Sequence, residues 1–433
     1  MRLSSSSGRG PVVYLHVGPM KTGTTYLQQL MYANRERLAD AGVHLPGDHW
    51  TRQLRAAQNL MSRGRLDPHI RTSSRGAWDR LAHEARSTSL PVAVISVEFL
   101  GSATSRQVTR AVASLSPAEV RVVFTLRDMA AVLPALWQTE VHNGARYSWP
   151  EFLRRIEYPS LLPLPSLLRR RPEDVFASTQ DVSAMIATWG EAVGGNHLRV
   201  VTVPRGAGDA AELWRRFASV IQIDPAVLVP PVERSNTSIG LAATELVRRV
   251  NRHIGRLPTS EYNSTVKDEL VMKVLAANAG REGRAQLSLS GYDLALRWNA
   301  EVRRAVLASG AAVTGDLADL PTEPDPGVRD RLGVTPRPAS RRRMLDDAQL
   351  AAKALIRLRR RRTRRLQRLG AAVEPPPASN ARRLRRAWEQ APDPIEAAAL
   401  DLAESARQAA LELRRLRRAG RGDGVRPAGR LKR

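Results

Sequence analysis

The sequence predicts an α/β fold in which a parallel β-sheet is flanked by helices and is followed by a basic helical C-terminal extension. Apolar runs of strand length at 12–17, 91–97 and 120–126 alternate with amphipathic helical segments. Runs that are apolar on both faces are typical of the buried strands of parallel sheets. Residues 341–433 differ in kind, because they hold 26 basic and 10 acidic residues.

The composition is typical of a globular protein with an appendage. The chain has 433 residues, of which 42% are hydrophobic, enough for a sizeable core. Residues 1–10 are rich in Ser and Gly and lack the apolar segment of a secretory signal, so a flexible N-terminus is expected. No apolar run reaches the length of about 18 residues that a membrane span needs, and we expect a cytoplasmic protein. The absence of cysteine excludes disulfides and thiolate metal sites.

The first apolar run, 12–17, leads into a turn with two glycines and then into an amphipathic segment that begins at Thr24. Gly23 allows the backbone to approach a ligand closely, and the first N–H groups of the following helix point towards it. Thr24 and Thr25 add hydroxyl donors, and Lys21 adds a positive charge. This strand, loop and helix therefore predict a site for a phosphate or a sulfate.

The spacing of the loop residues restricts the ligand further. The nucleoside-triphosphatase loop reads G-x-x-x-x-G-K-[ST], and Gly18 and Gly23 keep that glycine spacing. Thr24 stands where the lysine of that loop would be, and Lys21 lies three positions upstream. The chain has 63 Arg and 5 Lys, and no other lysine precedes Lys267, so a lysine at this position is informative.

The segment 18–27, Gly-Pro-Met-Lys-Thr-Gly-Thr-Thr-Tyr-Leu, resembles the 5′-phosphosulfate-binding loop of bacterial-type sulfotransferases, which is close to P-K-[ST]-G-T-[TS]-x-L. The resemblance implies a P-loop-type α/β domain over 11–320, with 3′-phosphoadenosine 5′-phosphosulfate as donor and no required metal. The acceptor would be a hydroxyl or an amine on a small molecule, a glycolipid or a glycan. The resemblance assigns catalysis to Lys21 and cofactor contacts to Gly18, Lys21, Thr22, Gly23, Thr24 and Thr25.

Glu98 lies at the end of the second apolar run. Ligands of open α/β sheets bind beyond the carboxyl ends of the strands, so we expect Glu98 at the same edge as the loop. A carboxylate there could act as the general base that takes the proton of the acceptor. The alternatives are that Glu98 caps the next helix or pairs with an arginine, and that His142 is the base.

Arg127 and Asp128 end the third apolar run. The sulfotransferases to which the loop is similar carry an Arg-Asp pair at such a strand end and a serine eight residues after the arginine, which together bind the 3′-phosphate. The resemblance therefore implies that Arg127 contacts the cofactor. Ala135 stands at the position of the serine, and Gln138, a backbone N–H or another arginine could take the place of its hydroxyl.

The rest of the domain is expected to contain a further strand at 198–203, a turn at 42–47 that could carry a short strand, and helices at 181–193, 209–221, 239–253, 262–279 and 291–308. Many sulfotransferases close a late loop over the nucleotide. By that resemblance, Asn236 in the loop before the helix at 239–253 is a candidate cofactor contact. The alternative is that this loop only supplies a helix N-cap.

Residues 321–340 are rich in proline and are predicted to be a linker to a separable tail. The tail, 341–433, is expected to form two helices on either side of the prolines at 375–377. Apolar residues of the second helix follow alternating spacings of four and three, which indicates a coiled-coil seam. The seam consists of Ile395, Ala399, Leu402, Ala406, Ala409, Leu413 and Leu416.

Eight of the twelve residues in 357–368 are arginine. Such a segment could bind nucleic acid, an acidic glycan or an anionic membrane surface, or it could be a solvated helix. No aromatic residues are interleaved for base stacking, which argues against nucleic acid.

Two other functions stay open. One is a nucleoside-triphosphate-dependent P-loop enzyme, in which Asp128 would bind Mg²⁺. The other is a non-catalytic protein of the same fold that acts through its basic tail, which Ala135 favours.

Overall fold

The computed structural model describes residues 10–61, 74–157, 176, 179–206, 210–229, 238–279, 283–333, 335–375 and 380–422. Of the helices in these ranges, none combines the length and the apolar character of a membrane span. The predicted cofactor contact Asn236 lies outside the described residues. The chain divides into two compact units, which are described separately.

A six-stranded sheet forms the centre of the first unit, and all of its strands are parallel, which confirms the predicted parallel sheet. The order of the strands is β2-β3-β1-β4-β5-β6, so β1 lies between β3 and β4. The sixth strand was not predicted, because it has three residues and is largely exposed. The strands are β1 Val12–Gly18, β2 Val43–His44, β3 Val92–Ser96, β4 Glu119–Leu126, β5 Leu198–Thr202 and β6 Ala312–Thr314.

The first unit comprises residues 1–133, 155–234 and 289–331. Its helices are α1 Thr24–Ala33, α2 Arg35–Asp40, α3 Trp50–Leu60, α4 Ala77–Arg86, α5 Ser105–Ser114, α8 Val182–Val193, α9 Ala210–Val220, α12 Leu289–Ser309 and α13 Pro326–Arg329. A 3₁₀ turn, Glu98–Ser102, follows β3. The helix α6 Met129–His142 begins in this unit and ends in the other, and α7 Trp149–Glu157 begins in the other and ends in this one.

Alternate residues of β1 contribute to two apolar cores, one on each face of the sheet. Val13, Leu15 and Val17 belong to one core, together with Ile95 and Phe124 of the neighbouring strands. Tyr14 belongs to the other core, into which α1 places Leu27 and Leu30. Burial on both faces explains why the sequence of these strands reads as continuous apolar runs.

The second unit comprises residues 134–154, 235–288 and 332–433. Besides its parts of α6 and α7, it contains α10 Gly240–His253, α11 Thr259–Tyr262, a π-helix Asn263–Leu275, α14 Arg341–Arg368, α15 Ala381–Glu389 and α16 Pro394–Gly422. The prediction of helices on both sides of 375–377 is met by α14 and α16, but α15 lies between them and was not predicted. The first five positions of the predicted seam, from Ile395 to Ala409, are buried.

The division into units differs from the predicted boundary near residue 320, because the tail packs on helices that precede the linker. Met344 of α14 and Ile395 of α16 share an apolar cluster with Ala242 of α10. Arg362 of α14, which belongs to the arginine-rich segment 357–368, is buried and donates to the Ala409 carbonyl at 2.5 Å and to Thr265 Oγ1 at 3.2 Å. The guanidinium thus replaces an apolar side chain by bonding to two neighbouring helices, which composition alone could not show.

Candidate active site

The loop between β1 and α1 has an unusual backbone. Gly18 and Gly23 have φ angles of 97° and 87°, and a Cβ on Gly23 would collide with the side chain of Leu213. Lys21 also has a positive φ, 68°, which costs a residue with a side chain about 1–2 kcal/mol. Backbone strain of this kind is concentrated at ligand-binding loops. The two glycines of the motif are therefore required by the conformation of the loop.

The N-terminus of α1 is open towards an anion. Gly23 is its N-cap and supplies no side-chain hydrogen bond, and its first turn contains no acidic residue. The first N–H groups of a helix have no intrahelical acceptor, and the helix dipole adds partial positive charge there. Thr24 is almost completely buried and Thr25 is exposed. Backbone donors and the Thr25 hydroxyl are thus the groups that the helix start presents.

Thr22 faces the interior of the protein. Its side chain is 1% exposed, and its hydroxyl donates to the Pro19 carbonyl at 2.7 Å. The same oxygen lies 2.6 Å from Thr125 Oγ1 at the end of β4. The prediction that Thr22 contacts the cofactor therefore cannot extend to its hydroxyl, which holds the loop on the sheet.

Thr125 continues a chain of buried hydrogen bonds under the loop. Its hydroxyl lies 3.1 Å from His16 Nε2, and His16 Nδ1 lies 2.8 Å from Ser96 Oγ on β3. The three residues lie on the adjacent strands β1, β3 and β4, where the register pairs His16 with Ser96. The chain of hydroxyl and imidazole groups therefore ties the three central strands to the backbone of the loop.

The donors in this chain follow from the Pro19 carbonyl, which can only accept. Thr22 gives its proton to that carbonyl, so Thr125 must donate to Thr22. Thr125 has then no proton left for His16, and His16 must donate from Nε2 and accept at Nδ1 from Ser96. A neutral His16 with its proton on Nε2 satisfies each group of this chain.

The burial of the His16 ring also favours its neutral form. The ring is fully buried, and this burial lowers the pKa of His16 to about 3, because a charged imidazole would lose its hydration. Its ring packs against Phe217 at a centroid distance of 5.1 Å. His16 is thus a neutral structural link, with both ring nitrogens hydrogen-bonded inside the protein.

Glu98 lies beside the start of the loop, as expected for a residue at the end of β3. A Cβ on Gly18 would lie 2.9 Å from the Glu98 Cβ, so glycine is also required for this close approach. Glu98 Oε2 accepts a 2.8 Å hydrogen bond from Gln28 Nε2 of α1. Gln28 also donates to the Ser96 carbonyl at 3.1 Å, which fixes its amide. The carboxylate is thereby oriented by a buried side chain of the helix that begins at the loop.

Arg127 lies on the other side of the loop, where β4 ends. Its Nη1 donates to the Lys21 carbonyl at 3.5 Å, a long contact. Asp128 is held away from the loop, because its Oδ1 accepts from the backbone N–H of Ala130 at 3.0 Å and from Asn299 Nδ2 at 2.9 Å. The loop therefore has Lys21, Glu98 and Arg127 around it at this edge of the sheet. Asp128 instead caps the start of α6.

The second unit contains the remaining residues of interest. Ala135 and Gln138 lie on α6, which ends at His142. The Gln138 amide bonds to Ser238 at 3.2 Å and to Thr244 at 3.3 Å. In the described ranges, no three His, Asp or Glu side chains are grouped so that they could hold a metal ion.

Sequence reasoning missed three positioning residues: His16, Gln28 and Thr125. Each is a polar residue inside an apolar run or stripe, and each is at most 3% exposed. A polar side chain in a buried strand needs a partner, which is the signal that could have found them. Their partners lie 68 to 109 residues away along the chain, so the pairing itself depends on the sheet order.

Comparison with known proteins gave no match to a family model, to a curated protein or to a solved structure.

Proposed function

We propose that this chain is a sulfotransferase that moves a sulfuryl group from 3′-phosphoadenosine 5′-phosphosulfate to a hydroxyl or an amine. The observation that carries the proposal is the loop 18–25, which combines an uncapped helix start with a lysine three residues before Thr24. A lysine within the loop suits a sulfuryl group at the 5′-phosphate, whereas a triphosphate-binding loop has its lysine at the start of the helix. The basic Arg127 beside the loop suits a second phosphate.

In the proposed reaction, an acceptor oxygen or nitrogen attacks the sulfur in line with the leaving phosphate oxygen. A bond from the acceptor to sulfur forms while the S–O bond to the 5′-phosphate breaks, and the acceptor proton passes to Glu98. By analogy with phosphoryl transfer, charge neutralisation and positioning supply most of the rate. Lys21 and the N–H groups at the start of α1 would stabilise charge on the sulfuryl oxygens and on the leaving phosphate.

The role of Glu98 as base is supported by its contacts. Gln28 donates to one carboxylate oxygen, Oε2, at 2.8 Å, which leaves Oε1 as the acceptor for a proton. Among the described residues, no arginine forms an ion pair with Glu98, whereas the bond from Gln28 favours an oriented carboxylate. His142 remains the competing base.

The nucleoside-triphosphatase alternative is weakened by Asp128. In such an enzyme an aspartate after a strand binds Mg²⁺, but here Asp128 Oδ1 already accepts two hydrogen bonds as the cap of α6. A non-catalytic protein of this fold is favoured by Ala135, which has no hydroxyl for the 3′-phosphate. The sulfotransferase, the nucleoside-triphosphate-dependent enzyme and the non-catalytic protein differ in which nucleotide they bind and in whether they need a metal ion.

The test is thermal unfolding in the presence of adenosine 3′,5′-bisphosphate without metal, compared with ATP and Mg²⁺. At about 100 times its dissociation constant, the bisphosphate should stabilise the protein by about 2.7 kcal/mol. Lys21→Ala should remove most of this effect. Lys273→Ala is the matched control, because Lys273 is an exposed lysine of the second unit.

Stabilisation by ATP and Mg²⁺ alone would refute the sulfotransferase function in favour of a nucleoside-triphosphate-dependent enzyme. Stabilisation by the bisphosphate without any sulfuryl transfer to a panel of hydroxyl and amine acceptors would favour the non-catalytic alternative.

A further inference from the structure

A hollow of about 540 Å³ lies in the second unit, between α14 and the start of α15. Three of its nine lining residues are apolar, and the other six are Gln349, Lys353, Arg357, Arg360, Asn380 and Arg382. The lining contains four cations and no carboxylate. The four cations are exposed side chains, and no carboxylate of the lining balances their charge.

The cations converge on the hollow because of their spacing. Lys353, Arg357 and Arg360 follow each other at four and three residues along α14, so they lie on one face of the helix. Arg382 adds a fourth charge from the first turn of α15, where the helix dipole is also positive. Among the described residues, no carboxylate oxygen lies within 4.0 Å of a charged nitrogen of these four side chains, so none of them forms an ion pair.

Each of the two amide oxygens of the hollow accepts a hydrogen bond from a neighbouring group of the protein. Gln349 Oε1 accepts from Arg385 Nη1 at 2.9 Å, and Asn380 Oδ1 accepts from the backbone N–H of Arg382 at 2.9 Å. The NH₂ groups of these side chains are hydrogen-bond donors. The side chains that line the hollow therefore present hydrogen-bond donors and positive charge, which together suit an anion.

A neighbouring hollow of about 520 Å³ shares Arg357 and Arg360 but differs in its charge. It contains Glu269, which pairs with Lys273 at 2.9 Å and lies 3.6 Å from Arg361. The carboxylate of Glu269 lowers the positive charge of that hollow and repels an anion. The first hollow lacks such compensation and is therefore the better anion site.

We propose that the hollow between α14 and α15 binds a compact polyphosphate, meaning two or more linked phosphate groups, either free or on a lipid headgroup. Lys353 and Arg360 are seven residues apart, or about 10 Å along the helix. A row of this length offers room for phosphates at both of its ends, and the charge of a single phosphate cannot balance four cations. Linked phosphates can occupy both ends and carry more charge, and each planar guanidinium can bind a phosphate with two hydrogen bonds.

The first test is isothermal titration of the full chain with orthophosphate, pyrophosphate and tripolyphosphate at about 0.15 M salt. The protein carries Lys21→Ala, so that the loop after β1 does not contribute to binding. We expect the affinity to rise with each added phosphate. Arg357→Gln and Arg360→Gln should each weaken tripolyphosphate binding about 10-fold, since each removes a charge-assisted contact.

Arg368→Gln is the matched control, because Arg368 is exposed on the same helix and does not line the hollow. It removes the same charge and should change the affinity less than about 2-fold. An equal loss in all three variants would show binding to the general charge of α14 and would overturn the proposal. Orthophosphate that binds as tightly as tripolyphosphate would also overturn it.

Sedimentation with vesicles distinguishes the two sources of the ligand. If the source is a lipid headgroup, vesicles with a bisphosphorylated lipid should retain the protein, and tripolyphosphate should release it. The Arg357→Gln/Arg360→Gln variant should then stay in solution. No retention, together with tight tripolyphosphate binding, identifies a free polyphosphate. Equal retention by phosphatidylserine vesicles would indicate binding to surface charge and would overturn the proposal.

Discussion

Acidification should destabilise the protein through the buried ring of His16. Its folded pKa of about 3 lies below the ordinary histidine value of about 6.5, so the unfolded chain binds a proton that the folded chain rejects. The free energy of unfolding therefore falls as the pH drops through 6.5 and continues to fall until about pH 3. From these two values, His16 alone should cost about 2 kcal/mol at pH 5 relative to pH 8, and about 5 kcal/mol below pH 3.

The assay is urea unfolding at about pH 7.5 and about pH 5, for the natural protein, His16→Gln and His83→Gln. Glutamine does not titrate, so His16→Gln should reduce the difference between the two pH values by about 2 kcal/mol. Its absolute stability should be lower at neutral pH, because glutamine does not reproduce the bonds to Ser96 and Thr125. His83 is exposed, so His83→Gln should keep the pH dependence of the natural protein.

The nitrogen NMR spectrum of the natural protein supplies a second measurement that does not depend on the variant. At about pH 5, the His16 ring should show a protonated Nε2 and an unprotonated Nδ1. An unchanged pH dependence in His16→Gln, or a doubly protonated ring at pH 5, would refute the assignment of a neutral buried histidine.

Three further outcomes are expected. Thr125→Val removes the proton that Thr22 accepts and should lower the free energy of unfolding by about 1–3 kcal/mol, measured by urea unfolding; an effect within error would mean that the hydroxyl chain does not hold the loop. Glu98→Gln should lower sulfuryl transfer by about 10²- to 10⁴-fold with near-normal affinity for adenosine 3′,5′-bisphosphate, whereas near-normal turnover would favour His142 as the base. Truncation near Leu320 was expected from the sequence to leave a folded domain, but it exposes the apolar side chains under α14 and α16, so we now expect loss of solubility; a soluble, cooperatively unfolding product would restore the tail as a separable unit.

The sequence predicted the parallel sheet and the succession of strand, turn and helix at 12–33, because these features depend on local signals. The strands β1, β3 and β4 are buried on both faces, so nearly every residue in them must be apolar, and the runs are visible without knowledge of their neighbours. Gly18 and Gly23 mark backbone conformations that other residues adopt only with strain. The short strand β6 gave no such signal, because its residues are mostly exposed.

The position of Glu98 was predictable because the carboxyl ends of parallel strands meet at one edge of the sheet. The partner that orients it was not predictable, since Gln28 lies 70 residues away and any polar residue of α1 could have faced it. The packing partners of the helical tail could not be predicted from the sequence either. Its seam residues are recognisable, but a seam does not specify its partner, and only the fold brought α10 and the π-helix against it.

The sequence by itself therefore determined the buried strands, the backbone of the loop and the net charge of the tail, because each depends on the identity of neighbouring residues. Tertiary structure decided which groups pair across long separations. His16 illustrates the difference: the sequence places a histidine in a strand, but the order β3-β1-β4 sets Ser96 on one side of it and Thr125 on the other. Hydrogen bonds have short range, so their partners follow from distances in space that separation along the chain does not fix.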